Sequence, residues 1–183
     1  MNTPRTPDRR IRRESDDSAG MKRVRLADVE GVSPPDEELP DGRLAASVGT
    51  VRQLTDRLGA TDVAINHYEL APGESFTISP HAHPEQEEVF LVVDGEVTFE
   101  TDDEPVVVGA DEVLRVPPGT FQLGTNRAEE PATVFALGAP KEYASGGRWQ
   151  FVCDDCETVT VHEPVTLDDR EAYRCEVCGT LFE

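Results

Sequence analysis

Two groups of residues have the types and spacing of metal ligands. The first group comprises the four cysteines of the chain, which form two Cys-x-x-Cys pairs, Cys153 with Cys156 and Cys175 with Cys178, separated by 18 residues. Each pair can make a tight turn that directs two thiolates at one ion, and the spacing between the pairs is typical of zinc modules. Four thiolates close a tetrahedral shell, so we expect a structural zinc site here.

Disulfides and a redox-active Cys-x-x-Cys are the alternatives for these cysteines. The chain shows no secretion signal, which argues against disulfides, and two symmetric pairs argue against a redox site. Residues 149–183 resemble a zinc ribbon, with 175–179 (CEVCG) similar to its knuckle pattern. A module of about 35 residues is too small to fold on its core alone, so the metal would supply folding energy. We expect His162, between the pairs, to lie at the surface.

The second group lies in residues 80–95 (PHAHPEQEEVFLVVDG). His81 and His83 are two apart, so on an extended chain both imidazoles point to one face. Glu88 opens the next apolar run, where alternation places it on the same face as Phe90. If that face is the interior of a barrel, two neutral imidazoles and a carboxylate suit a divalent transition metal and leave positions open. The alternative is a solvated acidic loop, which the apolar run that follows disfavours.

A β-rich region must position these histidines and the glutamate. Between residues 61 and 140, short runs rich in Val, Ile, Phe and Thr alternate with turn dipeptides, which predicts an all-β antiparallel barrel or sandwich. Asp94-Gly95 predicts a hairpin turn. The predicted strands are 63–70, 88–93, 97–101, 106–108, 113–116 and 132–137.

Composition shifts divide the remainder of the chain. Residues 50–59 predict one short helix ending at Gly59, and residues 21–26 are strand-like. Met21 is an alternative start for the native chain. The expected regions are a disordered tail at 1–20, a strand and helix arm at 21–60, the barrel at 61–140, a Gly-rich linker at 141–148 and the zinc ribbon at 149–183.

Two motifs lie in residues 60–140: His81-x-His83 with Glu88 and Gly95, and Pro117-Pro118-Gly119 with Gln122 and Asn126. Their residues and spacings resemble the two motifs of the cupin family, of the type-2 kind. This resemblance implies a jelly-roll β-barrel that holds a metal ion on His81, His83 and Glu88.

One ligand position departs from that family pattern. The fourth ligand is normally a histidine, and Gln122 stands there in this chain. A carboxamide oxygen is a weaker donor than an imidazole, so Gln122 either binds the metal weakly or hydrogen-bonds a metal-bound water or the substrate. Manganese, iron, nickel and zinc all suit the remaining ligands, and complete loss of the barrel metal is the alternative.

Other side chains are predicted to shape the cavity. Alternation in 63–70 places Tyr68 inward, as a hydroxyl donor to a bound molecule, and His67 on the exterior. Phe90 and Phe121 are expected to flank the site and to make it narrow and apolar. Glu87 points away from Glu88 and is expected in solvent or at an interface.

The charge balance limits the classes of partner. Lys plus Arg number 17 and Asp plus Glu 37, giving a formal net charge of −20, with only two lysines. This charge repels nucleic acid and anionic lipid, and concentrated salt would screen the resulting self-repulsion. The composition suggests adaptation to a salt-rich cytoplasm; the alternative is a merely acidic mesophilic protein. No apolar run approaches about 18 residues, so we expect no membrane span.

Two functional hypotheses follow. The first is a metal-dependent enzyme that acts on a small molecule. The cupin resemblance implies a dioxygenase, an isomerase or a decarboxylase. Because this scaffold serves many reactions, the resemblance does not select one of them. The second is a non-catalytic metal-sensing or small-molecule-binding adapter whose ribbon docks a protein partner. A homodimer is expected in either case, with residues 21–30 supplying a swapped strand.

Overall fold

The computed structural model describes residues 20–33, 48–142, 146–167 and 170–182. The predicted disordered tail, apart from Gly20, lies outside these residues. Within them the chain is almost entirely β-structure, with one α-helix (α1, Thr55–Leu58) and one 3-10 helix (Leu26–Asp28). The predicted all-β class is confirmed. Neither of these helices is long and apolar enough to cross a membrane.

Thirteen strands form two antiparallel sheets in the described part of the chain. In chain order they are β1 (Thr50–Gln53), β2 (Ala64–Leu70), β3 (His81–Ala82), β4 (Glu87–Asp94), β5 (Glu96–Thr101), β6 (Val106–Gly109), β7 (Val113–Val116), β8 (Gln122–Thr125), β9 (Ala132–Ala139), β10 (Arg148–Cys153), β11 (Thr158–Leu167), β12 (Arg170–Cys175) and β13 (Leu181–Phe182). One sheet has the order β1-β2-β9-β4-β7, and the other β13-β12-β11-β10-β3-β8-β5-β6.

The main core lies between these two sheets. Successive residues of β9 alternate between buried and half-buried, as period-two side chains require in a sheet with one face on a core. Three phenylalanines from different parts of the barrel meet in this core: Phe90 lies 4.8 Å from Phe99 and 5.1 Å from Phe76 between ring centroids. This apolar cluster gives the barrel a hydrophobic core that includes none of the three candidate metal ligands.

The arm before the barrel differs from the prediction. Residues 50–53 form strand β1, which pairs with β2, and the helix is confined to Thr55–Leu58, although it ends before Gly59 as predicted. The β-branched Thr50 and Val51 favour a strand where a neighbouring edge is free. Residues 21–26 form no strand, so the strand swap expected for a homodimer has no counterpart here, and the dimer stays a prediction.

The cysteine-bearing region continues the barrel sheet. Strand β10 pairs with β11 on one side and with β3 of the barrel on the other, with Trp149 opposite His81. Two further hydrogen bonds join the strands: the Gln150 amide donates to the Pro80 carbonyl at 2.9 Å, and the Ser79 hydroxyl donates to the Gln150 carbonyl at 2.7 Å. The module therefore joins the barrel through a shared sheet, and the expected linker already becomes strand at Arg148.

Candidate metal centres

The histidine and glutamate side chains come from the two facing sheets. His81 lies in β3, paired with Gln122 of β8, whereas Glu88 lies in β4 of the opposite sheet, paired with Val116. His83 follows β3 in a loop that is held by the hydrogen bond from the Gly119 amide to its carbonyl at 2.9 Å. Gly119 has φ +79°, a conformation that favours glycine, which explains the Pro-Gly turn at this point.

The ligand atoms of His81, His83 and Glu88 lie within 4.8 Å of one another, so these side chains could hold a metal ion. His83 Nε2 is 3.5 Å from Glu88 Oε1, and the two imidazole rings are 5.0 Å apart in an edge-to-face arrangement. His81 is 5% exposed. Alternation along β4 correctly places Glu88 and Phe90 on the inner face.

Burial and neighbouring charges set the protonation of this group. Burial lowers the pKa of His81 to about 4, despite the opposing charge of Glu88. Burial alone would raise the pKa of Glu88, but its hydrogen bond to His83 and the charges of both histidines outweigh this and lower it. A neutral imidazole beside an ionised carboxylate is the donor chemistry that a divalent transition metal takes.

Thr77 fixes the orientation of His81. The Thr77 hydroxyl donates its proton to the Ser79 carbonyl at 3.0 Å, so its oxygen is left to accept from His81 Nδ1, 3.2 Å away. His81 therefore carries its proton on Nδ1 and is unprotonated at Nε2, the nitrogen that can act as a ligand. Such a hydrogen bond behind a ligand is the usual way in which proteins select the tautomer of a metal-binding histidine.

Gln122 lies beside the same group and is almost completely buried. Its amide nitrogen is 3.2 Å from Glu88 Oε2, to which it donates, and 3.4 Å from His81 Nε2. Its carbonyl oxygen is buried without a hydrogen-bond partner. The structure thus brings Gln122 beside the proposed ligands, with its amide nitrogen directed at the carboxylate and the imidazole, but Gln122 is not among the residues that line the cavity.

A cavity of about 260 Å³ opens above these ligands. Tyr68 and Phe90 line it as expected, and burial together with the charge of Glu88 raises the pKa of Tyr68 to about 12, so its hydroxyl stays a donor. No Lys or Arg lines this cavity among the described residues. The lining comprises Ala64, Asn66, Tyr68, Phe76, Thr77, His81, His83, Gln86, Glu88, Phe90, Ala136, Leu137, Gly138 and Trp149.

Two of the sequence expectations for this cavity are corrected. Phe121 does not line it, because Phe121 directly precedes β8 and neighbouring residues of an extended chain point to opposite faces; Gln122 points inward. His67 faces away from Tyr68 as expected, but it is 3% exposed. Its ring packs edge-on against Phe135 at 5.0 Å, and this burial lowers its pKa.

Sequence reasoning missed Trp149, whose ring stacks at 24° to that of His81 with centroids 6.3 Å apart. The available signal was alternation, since Trp149, Phe151 and Cys153 share one face of β10. The alternation does not reveal that β10 pairs with β3, and this pairing brings that face of β10 to the barrel.

The four cysteines converge in the second candidate centre. All four Sγ atoms lie within 4.8 Å of one another, with 3.5 Å between Cys153 and Cys178 and 3.9 Å between Cys156 and Cys175. A tetrahedron with Zn–S bonds of 2.3 Å has sulfur–sulfur edges of about 3.8 Å, whereas a disulfide needs about 2.05 Å. The observed separations fit one shared ion.

Hydrogen bonds prepare two of these sulfurs for negative charge. Burial opposes ionisation of Cys175, but the Thr160 hydroxyl at 3.3 Å and the amides of the Cys175–Cys178 turn lower its pKa to about 5. Contacts with the hydroxyl and amide of Thr180 lower the pKa of Cys178, whereas burial raises that of Cys153, and the neighbouring Cys178 sulfur together with burial raises that of Cys156. The thiolate is the form that binds metal, so these contacts favour occupancy.

The surface position expected for His162 is wrong. The side chain is completely buried, with its ring 5.4 Å from that of Phe151 and 4.9 Å from that of Phe182. The module has a small core, and an aromatic ring in the middle of β11 is needed to fill it. Nδ1 lies 3.0 Å from the Thr160 carbonyl, which gives the buried ring one polar contact.

Known proteins resemble part or most of this chain. Residues 66–138 match the family described as Cupin domain. Tetracenomycin polyketide synthase protein TcmJ from Streptomyces glaucescens is 36% identical over 88 residues, which are 47% of this chain and 58% of that protein. The chain therefore spans less than two thirds of that relative.

Two solved structures show the same fold. A sugar phosphate isomerase from a cupin superfamily, from Silicibacter pomeroyi, superposes with a TM-score of 0.63 at 18% identity, covering 86% of this chain and 94% of that one. A recombinant oxalate oxidase in complex with glycolate has a TM-score of 0.50 at 20% identity, covering 67% and 60%. At these identities the likeness concerns the fold, and it confirms the predicted cupin barrel.

Proposed function

We propose, from the premise that the chain contains a cupin domain at residues 66–138, that its barrel holds a divalent metal ion on His81, His83 and Glu88 and binds a small molecule there. The observation that carries this proposal is the convergence of the three ligand atoms within 4.8 Å, at the base of a cavity with aromatic walls. Such an ion, when bound, supplies Lewis acidity at its open positions.

The surrounding residues prepare the site for that role. Thr77 holds the His81 tautomer that is unprotonated at Nε2, and the Gln122 amide donates to Glu88 and so orients the carboxylate. Tyr68 faces the same space and keeps its proton at neutral pH, so it offers a hydroxyl donor to a carbonyl or hydroxyl oxygen of the bound molecule.

The cavity lining favours an apolar or planar molecule of low charge. Phe76, Phe90 and Trp149 supply flat apolar surface. A phosphate dianion, which the name of the similar structure from Silicibacter pomeroyi implies for its own substrate, is usually bound by Arg or Lys. No such side chain lines the cavity in the part of the chain that the structure describes, so we place phosphorylated sugars outside the ligand class.

A second candidate, a binding or sensing role without catalysis, is favoured by one observation. Apart from the three proposed ligands, Tyr68 is the one titratable group among the described cavity residues, and its pKa of about 12 makes it a poor general base. Isomerisation moves a proton and requires an effective general base. Of the three reaction types expected from the sequence, isomerisation therefore fits this cavity lining least.

We further propose that the four cysteines bind a structural zinc ion. The mutual approach of the four sulfurs to within 4.8 Å, with two of their separations at 3.5 and 3.9 Å, supports this assignment. The surplus of acidic residues supports a further proposal, that the protein works in concentrated salt. Its thermal midpoint should then rise from dilute buffer to molar KCl, and an unchanged or lower midpoint would contradict that assignment.

Metal content per chain tests the proposed function. Elemental analysis of the purified full chain should give one zinc and a second divalent ion, and Glu88→Gln should remove the second. Glu87→Gln is the matched control, because the Glu87 carboxylate points outward and pairs with Arg115 at 2.7 Å. Equal metal content in the Glu88→Gln and Glu87→Gln proteins would overturn the barrel assignment.

A further inference from the structure

Trp149, the single tryptophan of the chain, connects the two candidate centres. It lies in β10, four residues before Cys153, and it lines the barrel cavity with its ring stacked over His81. The cysteine-bearing module therefore supplies one wall of the barrel site. A module whose role was limited to its own stability would not need to place a side chain there.

Aromatic packing links this wall to the cysteines. The Trp149 ring lies 5.4 Å from that of Tyr173 in an edge-to-face contact, and Tyr173 lies 5.2 Å from Phe151. Tyr173 also packs against the small core formed by Cys153, Cys175 and Phe182. A continuous series of packed side chains thus runs from the sulfurs to the imidazole of His81.

Gly147 makes the position of the indole possible. A Cβ atom at this residue would lie 2.6 Å from the Trp149 ring, closer than side-chain carbons approach in proteins. Any side chain at this position would therefore displace the indole from His81. The indole packs against Tyr173, and Gly147 leaves the space that the ring needs.

We propose that the four-cysteine module is an integral part of the barrel site, and that Trp149 is a positioning residue that orients His81 for its metal ion. Because the metal in the cysteine cluster stabilises the small core against which Tyr173 packs, its loss releases Trp149 and weakens metal binding in the barrel. The coupling is reciprocal by thermodynamic linkage. The statement about barrel affinity rests on the proposed function, whereas the statement about the position of Trp149 does not.

The fluorescence of this single tryptophan gives a direct readout in the full chain. We expect the Trp149 emission maximum to move to longer wavelength when zinc is absent from the cysteine cluster, as in Cys178→Ser, because the indole becomes more exposed. Val177→Ala is the matched control, since Val177 lies in the same turn and is 73% exposed. An unchanged emission maximum in Cys178→Ser, with its zinc shown to be lost, would overturn the proposal.

Titration with Ni²⁺ measures the coupling itself. Calorimetry should give a barrel dissociation constant for Ni²⁺, taken from the Glu88-dependent binding, that rises about 10- to 100-fold both in zinc-loaded Trp149→Ala and in Cys178→Ser without zinc in its cysteine cluster, the range found when a contact that supports a metal ligand is lost. Trp149→Phe should restore most of the affinity. Gly147→Ala should weaken Ni²⁺ binding and shift the emission, although it changes neither ligand set.

The two proposals fail in different ways. If Ni²⁺ shows no Glu88-dependent binding in the wild-type chain, the proposed function is wrong, and the emission shift on zinc loss still decides whether the module seats Trp149. If Ni²⁺ binds through Glu88 but its dissociation constant stays within twofold in Trp149→Ala and Cys178→Ser, the coupling is wrong and the barrel site stands.

Discussion

The barrel cluster and the cysteine cluster differ in ligand number and in what surrounds the ligands. The barrel cluster has two imidazoles and one carboxylate beneath a cavity, inside a core that contains three clustered phenylalanines. The cysteine cluster has four sulfurs, and the small core around it is completed by Phe182, Tyr173, Phe151 and His162. The barrel cluster leaves coordination positions open to a small molecule. The four sulfurs complete the coordination shell of their ion, and we expect that ion to stabilise the fold of the module.

The largest effect should follow from breaking the cysteine cluster. Cys175→Ser removes the sulfur whose pKa is lowered to about 5, and it leaves three ligands. Since metal binding supplies most of the folding energy of so small a module, we expect loss of zinc and of amide protection in β11 to β13, measured by hydrogen exchange. Zinc retention with unchanged protection would show that the small core suffices without the ion.

Breaking the barrel cluster should abolish metal binding but leave the fold. His81→Ala removes one of three ligands, so we expect loss of the second metal ion by elemental analysis. The phenylalanine core remains, so the cooperative thermal transition should persist. A barrel that unfolds in His81→Ala, or that keeps its metal, would erase the distinction between the two clusters.

A smaller effect should follow from altering the group behind His81. Thr77→Val keeps the shape but removes the oxygen that accepts from Nδ1, so we expect the barrel affinity for Ni²⁺ to fall about 10- to 100-fold. Thr77→Ser, which retains the hydroxyl, should restore it. If calorimetry finds equal affinities for the valine and serine variants, Thr77 does not select the tautomer.

The smallest expected change concerns Gln122. Its amide lies 3.2 Å from Glu88 and 3.4 Å from His81, so an imidazole at this position would reach a bound ion. Gln122→His should tighten Ni²⁺ binding by about tenfold, the effect of adding one good nitrogen donor. Unaltered affinity would mean that the position does not face the ion.

The sequence predicted those features that depend on local pattern. Alternation placed Glu88 and Phe90 on one face, and the spacing of the cysteines placed four sulfurs together. Features that depend on which strands become neighbours were not accessible. Trp149 reaches the barrel because β10 pairs with β3, and β3 has only two residues, too few to show a periodicity.

Two errors have specific physical causes. Because four cysteines complete the zinc shell, His162 is not needed as a ligand, but its ring packs between Phe151 and Phe182 in the core of the module rather than at the surface. Phe121 was expected in the cavity, although its neighbour Gln122 was also expected there. Alternation allows only one of two adjacent strand residues to face inward, and in this pair the inward residue is Gln122.

A crystal structure of the purified full chain, with anomalous diffraction recorded at the absorption edges of manganese, iron, nickel and zinc, tests the central claim most directly. We predict two anomalous peaks, one between the four sulfurs at the zinc edge and one within about 2.0–2.3 Å of His81, His83 and Glu88. A peak at the sulfurs alone, with the two imidazoles and the carboxylate turned apart around water in protein supplied with all four metals, would contradict the account.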